Sequence, residues 1–508
     1  MKTSIKQKKT AIFAFLLAAA TVAGTMTACA DSAKDGAKDG TDTGAVKTNP
    51  AQTEETADIN DPYSDRMNIS ANLPDGLDFG GAHLRSMVND TNAGVMTNDI
   101  YTEAQTGDVV DDALYDRRVY VEELLNVVID PSVIMPPDDA SPAMRRSVNA
   151  GEDAYDVFLQ HMIIGGGDVL EGIFLNWYDI PHMNFKNPWY PQTTIESLTI
   201  DNVMYTLMSD VMISSIHNTY CYFYNKDIAA NNDLPDLYDI VSSGDWTFDQ
   251  LTKLTKDIYK DLNGNGVQDM DDQYGYATSI DSNVAVYLWS FDVDMVTPSS
   301  NGVEITANNE RMVNTVEKLR DFFYNSGETF VADVWTDFIN MFVAEKVLFI
   351  PRNIGETQTF FREMDNYGLL PFPKYDTAQE QYYTMLDGCA PLMSIPKTAR
   401  NTEMIGAVLE AMGEYSYKYV VPAYYDVALK VKGTRDEKSI EMLDIITAGR
   451  VVDFGFVFDN WKGFSFCLSE LLAKNNHADF SSYYAKREKS VIKHYTQVYE
   501  TFLEGNET

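Results

Sequence analysis

The sequence predicts an α/β architecture with mostly parallel sheets, and three observations carry that reading. Short apolar runs of strand length alternate with stretches whose apolar residues recur at three- and four-residue steps. Strand and helix patterns that alternate in this way favour strands laid parallel, with helices as the crossovers. The chain has 508 residues, 45% hydrophobic and 23% charged, which is ordinary globular composition and enough for two or three domains with sizeable cores.

The N-terminus speaks to the compartment. Lys2, Lys6, Lys8 and Lys9 form a basic start, and "AIFAFLLAAATVAG" (11–24) is an apolar run of 14 residues. That is too short to span a bilayer and suits the hydrophobic part of a signal peptide, here residues 1–28. Met26-Thr27-Ala28-Cys29 follows and resembles a bacterial lipobox, with Met26 where Leu is commoner. Lipidation at Cys29 is the expectation, and several acyl chains on one cysteine give stable anchoring at about 0.8 kcal/mol per buried CH₂. Cys221, Cys389 and Cys467 then remain, with no CxxC pair and no disulfide framework. Without residues 1–28 the chain carries 35 basic against 76 acidic residues, a net of −41. So acidic a surface repels nucleic-acid backbones, and no nucleic-acid partner is expected.

Residues 29–75 read as a flexible tether, because Ala, Asp, Gly, Thr and Lys dominate and little can be buried. Ordered elements follow from about residue 80. "HLRSMV" (83–88) alternates like a strand, and 109–129 begins with helical spacing and ends in a β-branched run. "YDVFLQ" (155–160) and "VMYTLMSDVMI" (203–213) read as buried strands, and helices are expected over 309–324, 401–416 and 481–503.

One stretch looks built for a cation. In "DLNGNGVQDMDD" (261–272) Asp261, Asn263, Asn265, Asp269 and Asp272 stand at positions 1, 3, 5, 9 and 12 of an EF-hand-like loop. Gly266 permits the sharp turn and the Val267 carbonyl fills position 7. Calcium takes six to eight oxygens, so a short chain must wrap tightly and turn every second residue inward. "TFDQLTKLTKDIYK" (247–260), with Thr247 and Gln250 at capping-box spacing, reads as a helix leading in. Asp272 is shorter than the usual Glu, and "QYGYATSI" after the loop reads as a strand. A structural calcium ion is therefore expected, with no sensor role.

The loop lies inside a longer pattern. "YFYNKD" (222–227), "GDWTFDQLTKLTKD" (244–257), the loop itself and "QYGYA" (273–277) occur in order, after "GEDAYDVFL" (151–159) and "NPWYPQ" (187–192). They precede "VLFIPRNIGETQTFFREMDNYGLLPFPKYD" (347–376) and "PLMSIPKTARNTEMIGAVLEAM" (391–412). The pattern resembles the extracellular solute-binding proteins of carbohydrate-type ABC importers of Gram-positive bacteria, to which maltose-binding protein is more distantly similar. The resemblance spans about 80–500. It implies a two-lobed type II periplasmic-binding-protein-like fold with discontinuous lobes and the ligand in the cleft between them. By analogy lobe 1 covers 76–210 and 350–392, and lobe 2 covers 211–349 and 393–508. It also implies a lipid-anchored, monomeric protein on the outer face of the cell membrane that captures a solute, a carbohydrate or oligosaccharide by preference, by lobe closure and delivers it to an ABC permease.

Sugars offer C–H faces to aromatic rings and hydroxyls to short polar groups. Of six tryptophans, Trp246 reads as core, and Trp177 and Trp189 as structural. Trp461 matches the region where the family places a cleft aromatic, and Trp289 and Trp335 follow loops of lobe 2. Arg352 and Asn353 lie at the lobe crossing, and Asn89 with Asp90 ends the first strand. These seven are the expected ligand contacts. No catalytic residue is expected, since HExxH, GxSxG and P-loop patterns are missing and the six histidines show no ligand spacing. The rival readings are a peptide-binding or adhesin-type surface lipoprotein and an exported glycoside hydrolase.

Overall fold

The computed structural model describes residues 63–90, 98–299, 302–428, 437–459, 463–474, 476 and 479–505. The expected signal peptide, Cys29, the tether as far as residue 62, and Trp461 lie outside the described residues.

Two larger sheets organise the chain. Their strands are β1 (Ser86–Asn89), β2 (Val133–Met135), β3 (Val157–His161), β4 (Tyr220–Asn225), β5 (Tyr274–Ser279), β6 (Thr329–Ala332), β7 (Val347–Asn353), β8 (Tyr367–Leu370) and β9 (Pro391–Ser394). The first sheet has the order β9-β3-β1-β2, with β9 running against three parallel strands. Leu207 bridges Met393 on the far side of β9. The second has the order β6-β5-β7-β4-β8, with β4 running against its neighbours. The same plan is thus built twice. Three parallel strands are followed by a reversed strand, which the chain lays down just after crossing from the other sheet.

Parallel strands need long crossovers. Helices Val109–Leu125 and Pro137–Asn149 join β1 to β2 and β2 to β3, and helix Trp335–Val343 joins β6 to β7. Side-chain caps start two of the helices where they begin: the Asp108 carboxylate accepts from Val110 N and Asp111 N ahead of Val109–Leu125, and Asn401 accepts from Met404 N ahead of Thr402–Tyr415. Every residue of β3, β4 and β5 is buried, as a parallel sheet covered on both faces requires. The tyrosine-rich composition becomes intelligible in the second lobe's core. Tyr222, Tyr276 and Tyr287 are wholly buried, and their hydroxyls hydrogen-bond one another, so these three buried O–H groups are satisfied within the cluster.

The structure corrects several expectations. The strand 83–88 is broken at Arg85, which turns aside to bond Asp156 and Asp153; Ala82–Leu84 pairs with Val127–Ile129 in a separate small sheet. Residues 203–213 form no strand beyond isolated bridges at Val203 and Leu207, although nearly all are buried. Residues 350–392 do not belong to lobe 1 as a block. The end of β7 and all of β8 lie in the second sheet, where Tyr367–Leu370 pairs with β4, and only β9 returns. Nor does all of 393–508 join lobe 2. Helix Thr402–Tyr415 packs on lobe 1, where Gly406 lies against the Pro181 carbonyl and Gly413 against Trp189 so closely that a Cβ would collide.

The body also begins earlier than residue 76. Tyr63 is buried, Ser64–Asn68 forms a 3-10 helix, and Ala71 N donates to Glu414 Oε2 at 2.7 Å. Arg66 lies over the rings of Tyr63, Tyr417 and Tyr425 and pairs with Asp444 at 2.7 Å. Among the described residues no helix is long and apolar enough to cross a membrane.

Candidate functional site

In open parallel sheets ligands bind beyond the carboxyl ends of the strands, where the strand order switches. In the second lobe β5 delivers Ser279 and Asp281, β6 delivers Asp333 and Trp335, and β7 ends on Arg352 and Asn353. In the first lobe β1 ends on Asn89 and β3 on His161. The reversed strands start at the same places: Asn353 faces Tyr220 at the head of β4, and His161 faces Pro391 at the head of β9. The segment Asp387–Ala390 joins the two ends. Asp387 N donates to Asn218 O, its carboxylate accepts from Tyr220 OH at 2.8 Å, and Met162 N donates to Ala390 O.

Arg352 is the centre of the second-lobe half. Its Nε and Nη2 donate to Glu356 Oε1 at 2.8 and 2.5 Å, and Nη1 reaches Asn283 Oδ1 at 3.4 Å. Asn283 is held by Asp281, which caps helix Ser282–Ser290 and also accepts from Ser279 Oγ. Burial alone would lower the Arg352 pKa, but Tyr220, Glu356 and Asp387 raise it on balance, so the guanidinium stays charged. The Trp335 ring lies over that guanidinium, 5.0 Å from its carbon to the centroid, and Phe360 meets Trp335 edge-on at 6.0 Å. Trp335 is 42% exposed and Phe360 40%, in a protein whose other described tryptophans are buried. Burial pushes the His161 pKa down to about 4 against the pull of Asp387, so this imidazole is neutral near neutral pH.

The arrangement can do three things chemically. Two exposed rings set edge to face offer apolar surface, with the Trp335 face free to stack, a fixed guanidinium and two amides offer donors, and Asp281, Asp333, Glu356 and Asp387 offer acceptors.

The expected contacts do not all meet. Trp335, Arg352 and Asn353 come together. Trp289 lies two turns along its helix, buried against the edge of Phe456 at 5.3 Å, and lines a separate pocket of about 330 Å³ with Glu196, Asp294, Tyr383 and Asp453. Asn89 is at the carboxyl end of the first sheet, wholly buried, and neither of its amide atoms has a partner among the described residues. Asp90 follows it and donates its N–H to Met135 O. Sequence reasoning missed Phe360, Glu356, Asn283, Asp281, Tyr220 and Asp387. One signal was available: Arg352 and Glu356 stand four apart, the spacing of an ion pair.

The loop 261–272 lies elsewhere. Helix Phe248–Thr255 stops well short of it, and Lys260 and Gln273 exchange both backbone hydrogen bonds, so the loop is the tip of a hairpin and no helix leads into it. Asp261 accepts from Gly264 N at 2.6 Å and Gly266 N at 2.9 Å, Asn263 from Asn265 N at 2.9 Å, and Asn265 from Val267 N at 2.6 Å. Gly264 and Gly266 both adopt φ +72°, which only glycine adopts freely. Asp269 accepts from the Asn263 and Asn265 amides, and the buried Asp272 from Leu262 N and Tyr259 OH. The donors are all oxygens, which suits a hard cation. Among the described residues, however, no three His, Cys, Asp or Glu side chains are grouped as metal ligands.

No family model matches the chain, and no curated protein matches it. Solved structures do match. The GacH receptor of Streptomyces glaucescens, solved unliganded and with acarbose, aligns over 82% of this chain and 99% of its own, at 14% identity and TM-score 0.52. UspC of M. tuberculosis aligns over 81% and 100%, at 13% identity and TM-score 0.52. A cyclo/maltodextrin-binding protein complexed with maltotetraose aligns over 84% and 98%, at 12% identity and TM-score 0.51. The chain has the two-lobed type II binding-protein fold. The strands of one sheet end on Arg352 and those of the other on Asn89 and His161, with Trp335 just beyond β6.

Proposed function

We propose that this protein captures an extracellular carbohydrate by closing its lobes and hands it to an ABC permease. One observation carries the reading: an exposed Trp335–Phe360 platform, fixed beside the Arg352–Glu356 pair at the carboxyl ends of the second sheet. Aromatic faces flanked by paired charges and amides are what a sugar needs, since its C–H faces stack and its hydroxyls both donate and accept. Two neighbours in fold are described with acarbose and with maltotetraose, which supports the same class of cargo. A binder that performs no reaction is the better reading, because the site's carboxylates are tied to Arg352, Tyr220 and Asn283.

Two further parts of the reading rest on sequence chemistry. The segment ending in Ala28-Cys29 would lipidate Cys29 and hold the protein at the outer face of the cell membrane. The loop 261–272 would hold calcium through Asp261, Asn263, Asn265, the Val267 carbonyl, Asp269 and Asp272, as a brace away from the cleft. The Asp261 and Asn265 oxygens already turned inward by backbone N–H groups support this.

The experiment is thermal unfolding of the purified full chain against mono- and oligosaccharides and short peptides. A ligand at a hundred times its Kd adds about 2.7 kcal/mol, which raises the midpoint visibly. A rise with one glycan class supports the proposal. A rise with peptides alone, or release of reducing ends at enzymatic rates, sinks it.

A further inference from the structure

A groove of about 700 Å³ lies beside the site at Arg352 and has no part in the reading of the Trp335 rings given above. It shares Ser279 and Asp281 with the site at Arg352, passes Asp333 and Asp337, and ends at Gln268 and Met270 beside the 261–272 loop. One wall is β6, which among the described residues pairs with β5 alone and leaves its other edge open. The opposite wall is the turn at Ala473 and Lys474 after helix Cys467–Leu471, fixed to the cleft by Ser469 Oγ donating to Asp281 O at 2.8 Å.

We propose that this groove extends the cleft and takes the further units of a neutral oligosaccharide, from Trp335 along β6 to Met270. The inference rests on the carbohydrate reading of the cleft and deepens it by naming length and charge.

Three features support it. The volume alone falls within the range of about 300–1,000 Å³ that holds a whole ligand, so together with the platform at Trp335 there is room for a chain of units. Its lining includes both rings and polar groups: Tyr274 and Phe330 pack ring against ring at 5.3 Å, and the Tyr274 hydroxyl, on a residue 1% exposed, has no hydrogen-bond partner among the described residues. A buried hydroxyl without a partner is costly, and a sugar hydroxyl or a water it orders would satisfy it. The charge is also selective. Among the side chains that line the groove, Asp281, Asp333 and Asp337 outnumber Lys474, so the groove disfavours uronates and other anionic glycans.

The experiment is calorimetric titration of the full chain with neutral gluco-, manno-, galacto- and xylo-oligosaccharides of one to six units, with an oligouronate series and short extended peptides beside them. Wild type should gain at least tenfold in affinity between the disaccharide and the tetrasaccharide of the class it binds, and should not bind the uronates. Ala473→Trp and Met270→Trp place a ring in the groove from exposed positions. Each should cost at least tenfold for the longest chain and less than twofold for the disaccharide. Equal loss at every length, no loss at any length, or affinity that does not rise with length overturns the extension while leaving the cleft intact. Peptides pairing with β6 in place of sugars also overturn it. A wild type that binds no glycan of any length overturns the carbohydrate reading itself, and the extension with it.

Discussion

Removing the Trp335 ring is the sharpest test of the cleft. An indole presents up to about 250 Å² of surface. With Trp335 42% exposed, about 105 Å² of it is free for a ligand to cover. At about 25 cal/mol per Å² full coverage is worth about 2.6 kcal/mol, and a sugar stacked on one face realises about half of that. Trp335→Ala should therefore weaken binding by about tenfold to eightyfold. The substitution also removes the cation–π contact to Arg352 and the buried part of the ring, a stability cost of about 2 kcal/mol that a protein of this size tolerates. Calorimetric titration at 25 °C reads affinity on the folded population alone, and a cooperative melt verifies that population. A Kd within twofold of wild type, in a variant that melts cooperatively, would mean the platform is not where ligand sits.

Three other outcomes follow from the geometry. Glu410 is wholly buried, accepts from Asn187 and Tyr190, and burial raises its pKa from 4.5 to about 7. The fold thus holds a proton that the unfolded chain has lost. The stability this confers is full below about pH 4.5 and fades as pH rises to about 7, by a few kcal/mol, so Glu410→Gln should flatten the pH dependence of chemical denaturation between pH 5 and 7.5. Asp261→Ala should lower the melting midpoint in calcium but not in chelator, with ligand affinity unchanged within a few-fold; equal melts in calcium for both proteins would remove the ion from the account. Arg450 and Asp210 are buried and paired at 2.8 Å. Arg450→Met leaves a buried carboxylate without its cation and should cost about 3–5 kcal/mol in denaturant, and a cost under 1 kcal/mol would contradict that burial.

Much of the fold is legible because hydrophobic periodicity is a local signal. The helices Val109–Leu125, Glu310–Tyr324 and Thr402–Tyr415 lie where apolar spacing and capping residues place them, and β3 lies on its apolar run. The failures share a cause. Residues 203–213 are as apolar as a strand yet are buried mostly as irregular chain, because apolar content reports burial and not backbone pairing. The lobe limits failed because β8 is claimed by β4 through a register that no local pattern reveals. The body's early start failed differently. Residues 63–75 are polar and rich in turn formers, and they are ordered by distant partners, with Arg66 among three tyrosine rings and Ala71 on Glu414.

The cleft was harder to read because what marks a binding aromatic is exposure, a property of the assembled fold. In sequence, Trp289 and Trp335 are equivalent, each a tryptophan following a loop of the same lobe. In space, Trp289 is the eighth residue beyond the Asp281 cap and turns inward against Phe456, whereas Trp335 opens its helix directly after β6 and stays out over Arg352. The distance of a side chain from the carboxyl end of a parallel strand decides between them, and that distance can be counted once strand ends are known. The same count brings in Asp281 after β5 and Arg352 at the end of β7, and it leaves out the 261–272 loop, which lies at the entry of β5. A loop at the amino end of a strand braces the sheet. If it also meets ligand, as the groove at Met270 implies, it does so only for a ligand long enough to run the length of β6.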